Sequence, residues 1–172
     1  AKPFRRIIAM NKNTVLIIDD EPDIRELLTI TLARMGLNCD TAADFNQGIE
    51  LIKHRSYSLV LTDMCLPDAN GIEVVKFIQK NKPQLPVAVI TAYGNVEAAV
   101  STLKAGAFDY VSKPIDLKMV QELVKTALAM QHQSTVHQER LVGSSTVIKQ
   151  LKGNIAKLSH SQAPVFIQGE SG

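Results

Sequence analysis

The chain has 172 residues, of which 45% are hydrophobic and 21% are charged, and its formal net charge is +2. This composition is ordinary for a globular protein with a core and excludes low-complexity disorder, while the length predicts one domain, or one domain with an appendage. No apolar run approaches the roughly 20 residues that span a bilayer, so neither a transmembrane segment nor a membrane partner is expected.

Charge and cysteine content narrow the classes of partner and compartment. Residues 10–130 hold 12 basic and 15 acidic residues, a balance of −3. Because nucleic-acid-binding surfaces need clustered Lys and Arg, we expect no direct binding of nucleic acid here. Cys39 and Cys65 lack CxxC spacing, which fits a reducing compartment and indicates neither zinc nor a disulfide scaffold. A cytoplasmic location follows as the expectation.

Short apolar runs alternate with amphipathic stretches along most of the chain. The apolar runs predict strands at 14–18, 38–42, 58–62, 86–90 and 108–111. Helical spacing of apolar residues marks four of the stretches between and after them, with stripes at Ile24, Leu27, Leu28, Thr31 and Met35; Ile72, Val75 and Ile78; Val96, Ala99, Val100 and Leu103; and Leu117, Val120, Leu123, Val124, Ala127 and Leu128. A further helix is predicted over 45–54. Gly36 stands where a helix end needs positive φ.

This alternation predicts an α/β fold with right-handed crossovers. We expect a flavodoxin-like, doubly wound, five-stranded parallel sheet of order 2-1-3-4-5, with helices on both faces and the switch point between strands one and three. The polar stretch that follows the fifth helix contains neither Gly nor Pro, so the helix is expected to continue as a helical linker over 131–140.

Five polar residues stand at the ends of separate apolar runs: Asp19, Asp20, Asp63, Thr91 and Lys113. Parallel sheets collect ligands at the carboxyl ends of their strands, so these side chains are expected to converge in one crevice.

Crowded carboxylates repel one another unless a cation neutralises them, and Mg²⁺ prefers such oxygen ligands. A competing interpretation is that Asp19 and Asp20 only cap the helix that follows. Asp63, alone on the middle strand, is the candidate nucleophile for a phosphoryl group. The Thr91 hydroxyl and the Lys113 ammonium are suited to stabilise the phosphoryl oxygens.

The ordered set of motifs resembles the receiver domain of bacterial two-component response regulators over roughly residues 12–130. It consists of Asp19-Asp20, Asp63-Met64-Cys65-Leu66-Pro67, Gly71, Thr91-Ala92, Tyr110 and Lys113-Pro114. The resemblance implies that a partner histidine kinase phosphorylates Asp63. It also implies that Asp19 or Asp20, Asp63 and the backbone carbonyl of Cys65 hold Mg²⁺.

Two further implications concern the end of the sheet. The resemblance implies a cis peptide between Lys113 and Pro114, which only X-Pro bonds adopt cheaply. It also assigns Thr91 and Tyr110 to a switch, in which the hydroxyl moves toward the phosphoryl group and the ring turns inward. A half-buried strand aromatic is the alternative for Tyr110.

The two ends of the chain carry separate expectations. Met10 has the character of a natural start, so residues 1–11 are expected to be an N-terminal extension. Residues 141–172 resemble the beginning of the AAA+ ATPase domain of sigma-54-dependent activators of the nitrogen-regulator type. The sequence reaches Gly172 before the second Gly and the Lys of a Walker A loop. We therefore expect an incomplete ATPase portion and no ATP hydrolysis, with sigma-54 RNA polymerase reached only through other domains.

Three functions of different classes compete for these residues. The favoured one is a signalling phosphoacceptor, not an enzyme, whose phosphorylation switches self-association as a homodimer or higher oligomer and so controls the ATPase. A Mg²⁺-dependent phosphohydrolase with an aspartyl-phosphate intermediate is the alternative, although Cys65 stands where its general acid is needed. A flavin or nucleotide binder is disfavoured because Asp19, Asp20 and Glu21 would repel phosphate.

Overall fold

The computed structural model describes residues 13–140 except Tyr93 and Asn95, with side chains through Gln131. The predicted extension over 1–11 and the predicted ATPase beginning over 141–172 lie outside the described residues. The chain divides into two units, Ala1–Leu128 and Ala129–Gly172, and the sheet belongs to the first. In the part of the chain that the structure describes, no helix has the length and apolar character needed to cross a bilayer.

Strands and helices alternate along the described residues. In chain order they are β1 (Thr14–Ile18), α1 (Pro22–Arg34), β2 (Asn38–Ala42), α2 (Phe45–His54), β3 (Leu59–Asp63), α3 (Gly71–Asn81), β4 (Val87–Thr91), α4 (Val96–Lys104), β5 (Asp109–Ser112) and α5 (Leu117–Arg140). The strands are parallel and ordered β2-β1-β3-β4-β5. The predicted flavodoxin-like topology is therefore confirmed. Gly36, after α1, has the expected positive φ of 80°.

The sheet is buried on both faces because its central strands carry apolar side chains at successive positions. In β1, Leu16 and Ile18 face one core cluster with α2 and α3, whereas Val15 and Ile17 face the other with α1 and α5. Since side chains alternate across a strand, an uninterrupted apolar run is what a strand between two helical layers requires. The helices on both faces hold the strand ends at fixed positions.

Three strands begin and end one residue later than the apolar runs predicted. β3 ends at Asp63 and β4 ends at Thr91, so both polar residues belong to their strands. Pairing continues past them: the Met64 amide donates to the Ile90 carbonyl at 2.7 Å, and the Lys113 amide to the Thr91 carbonyl at 2.7 Å. The hydrogen-bonded pairing of the sheet therefore includes both polar residues.

Most of the predicted apolar stripe of α4 lies on the surface rather than against the core. Val96 is 78% exposed and Val100 and Leu103 are also exposed, whereas Ala99 and Thr102 are buried. Thr102 can be buried because its hydroxyl donates to the Ala98 carbonyl at 2.8 Å within the helix. The helix therefore packs through its smaller side chains and leaves the larger apolar ones on the surface.

Candidate functional site

Three carboxylates meet at the carboxyl end of the sheet, as the strand-end pattern predicted. Asp19 follows β1, Asp63 ends the adjacent β3, and Asp20 lies in the loop before α1. Ligand oxygens of all three lie within 4.8 Å of one another. Asp19 and Asp63 are buried, while Asp20 is exposed. This cluster sits at the switch point of the sheet, where α/β proteins of this topology bind their ligands.

The two oxygens of Asp19 have different surroundings. Oδ1 accepts the Glu21 amide at 2.8 Å. Oδ2 is buried and has no hydrogen-bond donor among the described residues. Helix α1 starts from Glu21 as its N-cap, with no side-chain capping bond. Capping therefore does not account for Asp19, and a buried carboxylate oxygen without a donor is suited to a cation.

Lys113 brings a positive charge to the same place. Its Nζ lies 2.6 Å from Glu21 Oε1, 3.4 Å from Asp63 Oδ1 and 3.5 Å from Asp19 Oδ2. The backbone bond to Thr91 and a cis peptide to Pro114, as the resemblance implied, define the chain at this point. One ammonium is thus shared among three carboxylates.

Burial disfavours the ionised forms of the carboxylates in the pocket. Burial raises the pKa of Asp63, and the neighbouring charge of Asp19 raises it further, while Lys113 opposes both. Burial likewise raises the pKa of Asp19 against the lowering effects of the Glu21 amide and Lys113. Burial lowers the pKa of Lys113, but Glu21, Asp19 and Asp63 together reverse this and leave it raised. Lys113 is therefore a cation. Its charge does not fully compensate the two buried carboxylates, since their pKa values remain raised.

A tight loop between β3 and α3 fixes the backbone beside Asp63. The Gly71 amide donates to the Met64 carbonyl at 2.7 Å, and Cys65 forms an isolated bridge with Asn70. A Cβ on Gly71 would lie 2.2 Å from the Asp63 carbonyl oxygen, so the close approach of α3 requires glycine. The Cys65 side chain is exposed, and the role predicted for its carbonyl remains a prediction.

The same loop is tied to a helix that covers the sheet. Asp68 Oδ1 accepts the Phe45 amide at 2.8 Å, and Oδ2 accepts the Asn46 amide at 3.1 Å, both at the start of α2. Desolvation raises the pKa of the Asp68 carboxyl, but these two amides and the amide of Asp68 itself outweigh it, and the net pKa is lowered. The sequence indicated only a turn here, since a cap supplied from 23 residues away leaves no local signal.

The two residues assigned to a switch share a side of the sheet. Thr91 is buried at the end of β4, and Tyr110 is half-buried on β5. Strand register pairs Val89 with Tyr110 and Thr91 with Ser112. Because alternate residues of a strand face the same way, Thr91 and Tyr110 lie on one face. The arrangement permits coupling between them, and their switching role remains a prediction.

Glu21 is the pocket residue that sequence reasoning missed. The sequence predicts a metal site at Asp19 and Asp20 and assigns Glu21 no contact in the pocket, yet Glu21 provides the shortest side-chain contact of Lys113, a residue 92 positions away. The available signal was the run of three consecutive acids after the first strand. A metal site formed by Asp19 and Asp20 gives no role to the third acid of this run, Glu21.

Comparison with known proteins identifies the domain. The family model of the response regulator receiver domain matches residues 15–125. The chain belongs to the response regulator receiver family. Its geometry agrees with that assignment, since the acidic cluster, the lysine and the cis proline lie at the carboxyl end of a sheet of order 2-1-3-4-5.

Relatives place this receiver domain more narrowly. It is 48% identical over 166 residues to the response regulator protein PilR of Pseudomonas aeruginosa, covering 95% of this chain and 37% of that protein. It is 32% identical over 173 residues to the DNA-binding transcriptional regulator NtrC of Salmonella typhimurium, covering 95% of this chain and 36% of that protein. The chain thus spans little more than a third of either relative.

A solved structure gives the same picture. The beryllofluoride-activated NtrC4 receiver domain dimer matches with a TM-score of 0.66 at 31% identity, covering 69% of this chain and 98% of that chain. The match concerns the receiver domain, whose fold the two proteins share.

Removing one buried carboxylate is expected to stabilise the receiver domain in the absence of metal. Asp19 has a folded-state pKa above its ordinary value of 3.8, so its stabilising contribution is present below that value and is lost as pH rises through the folded pKa. With a chelator present, Asp19→Asn should raise the Tm at pH 7, and the gain should shrink toward pH 4. Calorimetry across this range measures it.

Asp23→Asn, an exposed carboxylate in the first turn of α1, is the matched control. It lacks the burial and the acidic neighbours of the pocket, so no comparable gain at pH 7 is expected. If the Tm of Asp19→Asn fell equally at pH 7 and pH 4, the buried Asp19 carboxylate would not be destabilising at pH 7.

Proposed function

We propose that this receiver domain accepts a phosphoryl group on Asp63 from a partner histidine kinase. The observation that supports the proposal most strongly is the placement of Asp63, buried at the end of the central strand β3 with the Lys113 Nζ 3.4 Å from its Oδ1. In the neighbouring Asp19, Oδ1 accepts the Glu21 amide, whereas Oδ2 has no hydrogen-bond donor among the described residues. Asp63 is therefore the acceptor in this proposal, with Asp19 and Asp20 as its metal-binding neighbours.

The residues at the pocket fit Mg²⁺. All three clustered side chains offer carboxylate oxygens within 4.8 Å of one another, and one oxygen is buried without a donor. Asp19, Asp20 and Asp63, with the backbone carbonyl of Cys65, are the ligands we propose. When bound, the cation offsets the charge of the carboxylates and of the phosphoryl oxygens.

The transfer step needs little more than positioning and charge compensation. A carboxylate oxygen of Asp63 forms a bond to phosphorus, and the bond from phosphorus to the donor nitrogen of the kinase histidine breaks, leaving its electron pair on the imidazole. Lys113 stabilises the phosphoryl oxygens as an ammonium donor. The Thr91 hydroxyl is proposed to donate to another oxygen, and Tyr110 to turn inward behind it.

We further propose that the domain serves a sigma-54-dependent transcriptional activator, as the receiver module over 12–130. PilR and NtrC are named as a response regulator and a transcriptional regulator, respectively. In this proposal residues 131–140 form a linker helix, 141–172 begin the AAA+ ATPase, and contact with sigma-54 RNA polymerase belongs to other domains.

The output of phosphorylation is proposed to be a change in self-association. The exposed stripe of α4, formed by Val96, Val100 and Leu103, is an apolar surface that runs along the helix. The activated receiver domain of NtrC4 is a dimer. Coupling from the pocket to this stripe would pass through Thr91, which ends the strand that precedes α4.

Labelling by a small phosphodonor tests the acceptor. Incubation with acetyl phosphate and Mg²⁺ should add one phosphoryl group to the wild type, and Asp63→Asn should abolish the addition because the amide is not a nucleophile of this kind. Intact mass spectrometry measures the product. Chelation of Mg²⁺ should reduce the rate by at least about tenfold, since a lost metal contact in phosphoryl transfer costs more than about 1.4 kcal/mol.

The matched control is Asp109→Asn, an exposed aspartate at the opposite end of β5. It should be labelled like the wild type. Labelling that survives Asp63→Asn would refute the proposed acceptor, and labelling that is indifferent to chelation would refute the metal requirement.

Self-association is tested by light scattering. The average mass at high concentration should change when beryllofluoride and Mg²⁺ are added, and Val100→Asp should prevent that change by placing a charge in the apolar stripe. Ser101→Asp places the same charge on the exposed side of α4 away from the stripe and should leave the change intact. A monomer under every condition would contradict the proposal.

A further inference from the structure

We propose that Glu21 is a positioning residue that competes for the Lys113 ammonium and thereby sets the rate at which Asp63 accepts a phosphoryl group. The inference rests on the proposed function of Asp63 as the acceptor. Its physical basis is the division of one cation among three carboxylates, of which Glu21 lies on the rim of the pocket.

The distances favour Glu21 over the two pocket aspartates. Lys113 Nζ lies 2.6 Å from Glu21 Oε1, a short charge-assisted hydrogen bond. The same nitrogen is 3.4 Å from Asp63 Oδ1 and 3.5 Å from Asp19 Oδ2, beyond the usual range of such bonds. In the unphosphorylated domain the ammonium is therefore drawn toward the rim.

The Glu21 side chain makes this contact because the local backbone leaves it available. Glu21 is the N-cap of α1, but its side chain makes no capping bond. Its amide donates to Asp19 Oδ1 at 2.8 Å, and its carbonyl accepts the Arg25 amide at 3.2 Å. Backbone contacts thus fix the residue beside the metal-binding aspartate while its carboxylate reaches Lys113.

Phosphoryl transfer changes which partner Lys113 needs. With acetyl phosphate, an Asp63 oxygen bonds to phosphorus while the bond from phosphorus to the acetate oxygen breaks, and acetate leaves with the electron pair. The product carries about −1.5 to −2 charge at this position. Lys113 must leave Glu21 to stabilise these oxygens, and that exchange is part of the barrier to transfer.

Hydrolysis of the product makes no such demand. Lys113 already faces the phosphoryl group before water attacks, so the contact with Glu21 is absent from both the starting state and the transition state. Loss of the Glu21 charge should accelerate acceptance of the phosphoryl group and leave its hydrolysis unchanged. This asymmetry separates competition for Lys113 from a general disturbance of the pocket.

The size of the effect follows from exposure. The Glu21 side chain is 57% exposed, whereas that of Lys113 is 17% exposed. Because solvent screens a half-exposed ion pair, removing it should change the rate by about two- to fivefold.

The experiment compares Glu21→Gln with Asp23→Asn, which removes an exposed charge two residues away. Initial rates of phosphorylation by acetyl phosphate are measured at saturating Mg²⁺, and hydrolysis is followed after the donor is removed. Glu21→Gln should be phosphorylated about two- to fivefold faster with unchanged hydrolysis, and Asp23→Asn should match the wild type in both. Equal acceleration in Asp23→Asn would overturn the proposal, because repulsion of the anionic donor would then explain it.

An unchanged or lower rate of phosphorylation in Glu21→Gln, or an equal change in its rate of hydrolysis, would also overturn the proposal.

A second readout is the ¹⁵N resonance of the Lys113 ammonium without phosphodonor, which should shift in Glu21→Gln and less in Glu21→Asp. No shift in either variant would count against the contact. If labelling requires Asp63 but these variants resemble the wild type, this inference alone fails; if labelling survives Asp63→Asn, the proposed function fails.

Discussion

Two carboxylates buried side by side need positive charge, and the carboxyl end of this sheet supplies too little of it. Asp19 and Asp63 both have raised pKa values because burial disfavours their ionised forms, and Asp19 adds repulsion to Asp63. Lys113 offsets part of this charge, but its shortest contact is with Glu21. This shortage of positive charge is the physical basis for the divalent cation and the phosphoryl group that we propose for the pocket.

The strands and helices of the fold set the positions of the pocket residues. Parallel pairing of β1 with β3 sets Asp19 beside Asp63, and pairing of β4 with β5 brings Thr91 to Lys113. Gly71 allows α3 to approach the Asp63 carbonyl. Since helices cover both faces, a shift of one strand end would disturb two packed cores. Fixed strand ends keep the charged groups close despite their mutual repulsion.

The sequence was sufficient for the topology and for most of the pocket, because both follow from local patterns. Apolar runs with polar residues at their ends predict parallel strands and a shared edge, and the structure places Asp63 and Lys113 together at that edge. Contacts between distant segments left no such pattern. The Glu21 contact with Lys113 and the Asp68 cap of α2 depend on how loops from different crossovers meet.

The orientation of α4 shows a second limit of the same reasoning. Helical spacing identifies residues that share a face, as Val96 and Val100 do, but it does not say which face meets the sheet. Here the small Ala99 and the internally bonded Thr102 are buried, because they allow close packing. The larger apolar residues are left on the surface.

We propose that the phosphoryl group resides on the Asp63 carboxylate, and chemical reduction tests this most directly. An acyl phosphate is reduced by borohydride to an alcohol, so reduction of the phosphorylated domain converts the accepting aspartate to homoserine. Peptide mapping by mass spectrometry then locates the change. We expect homoserine at position 63. Homoserine at position 19 or 20, or a phosphoryl group that resists reduction, would contradict it.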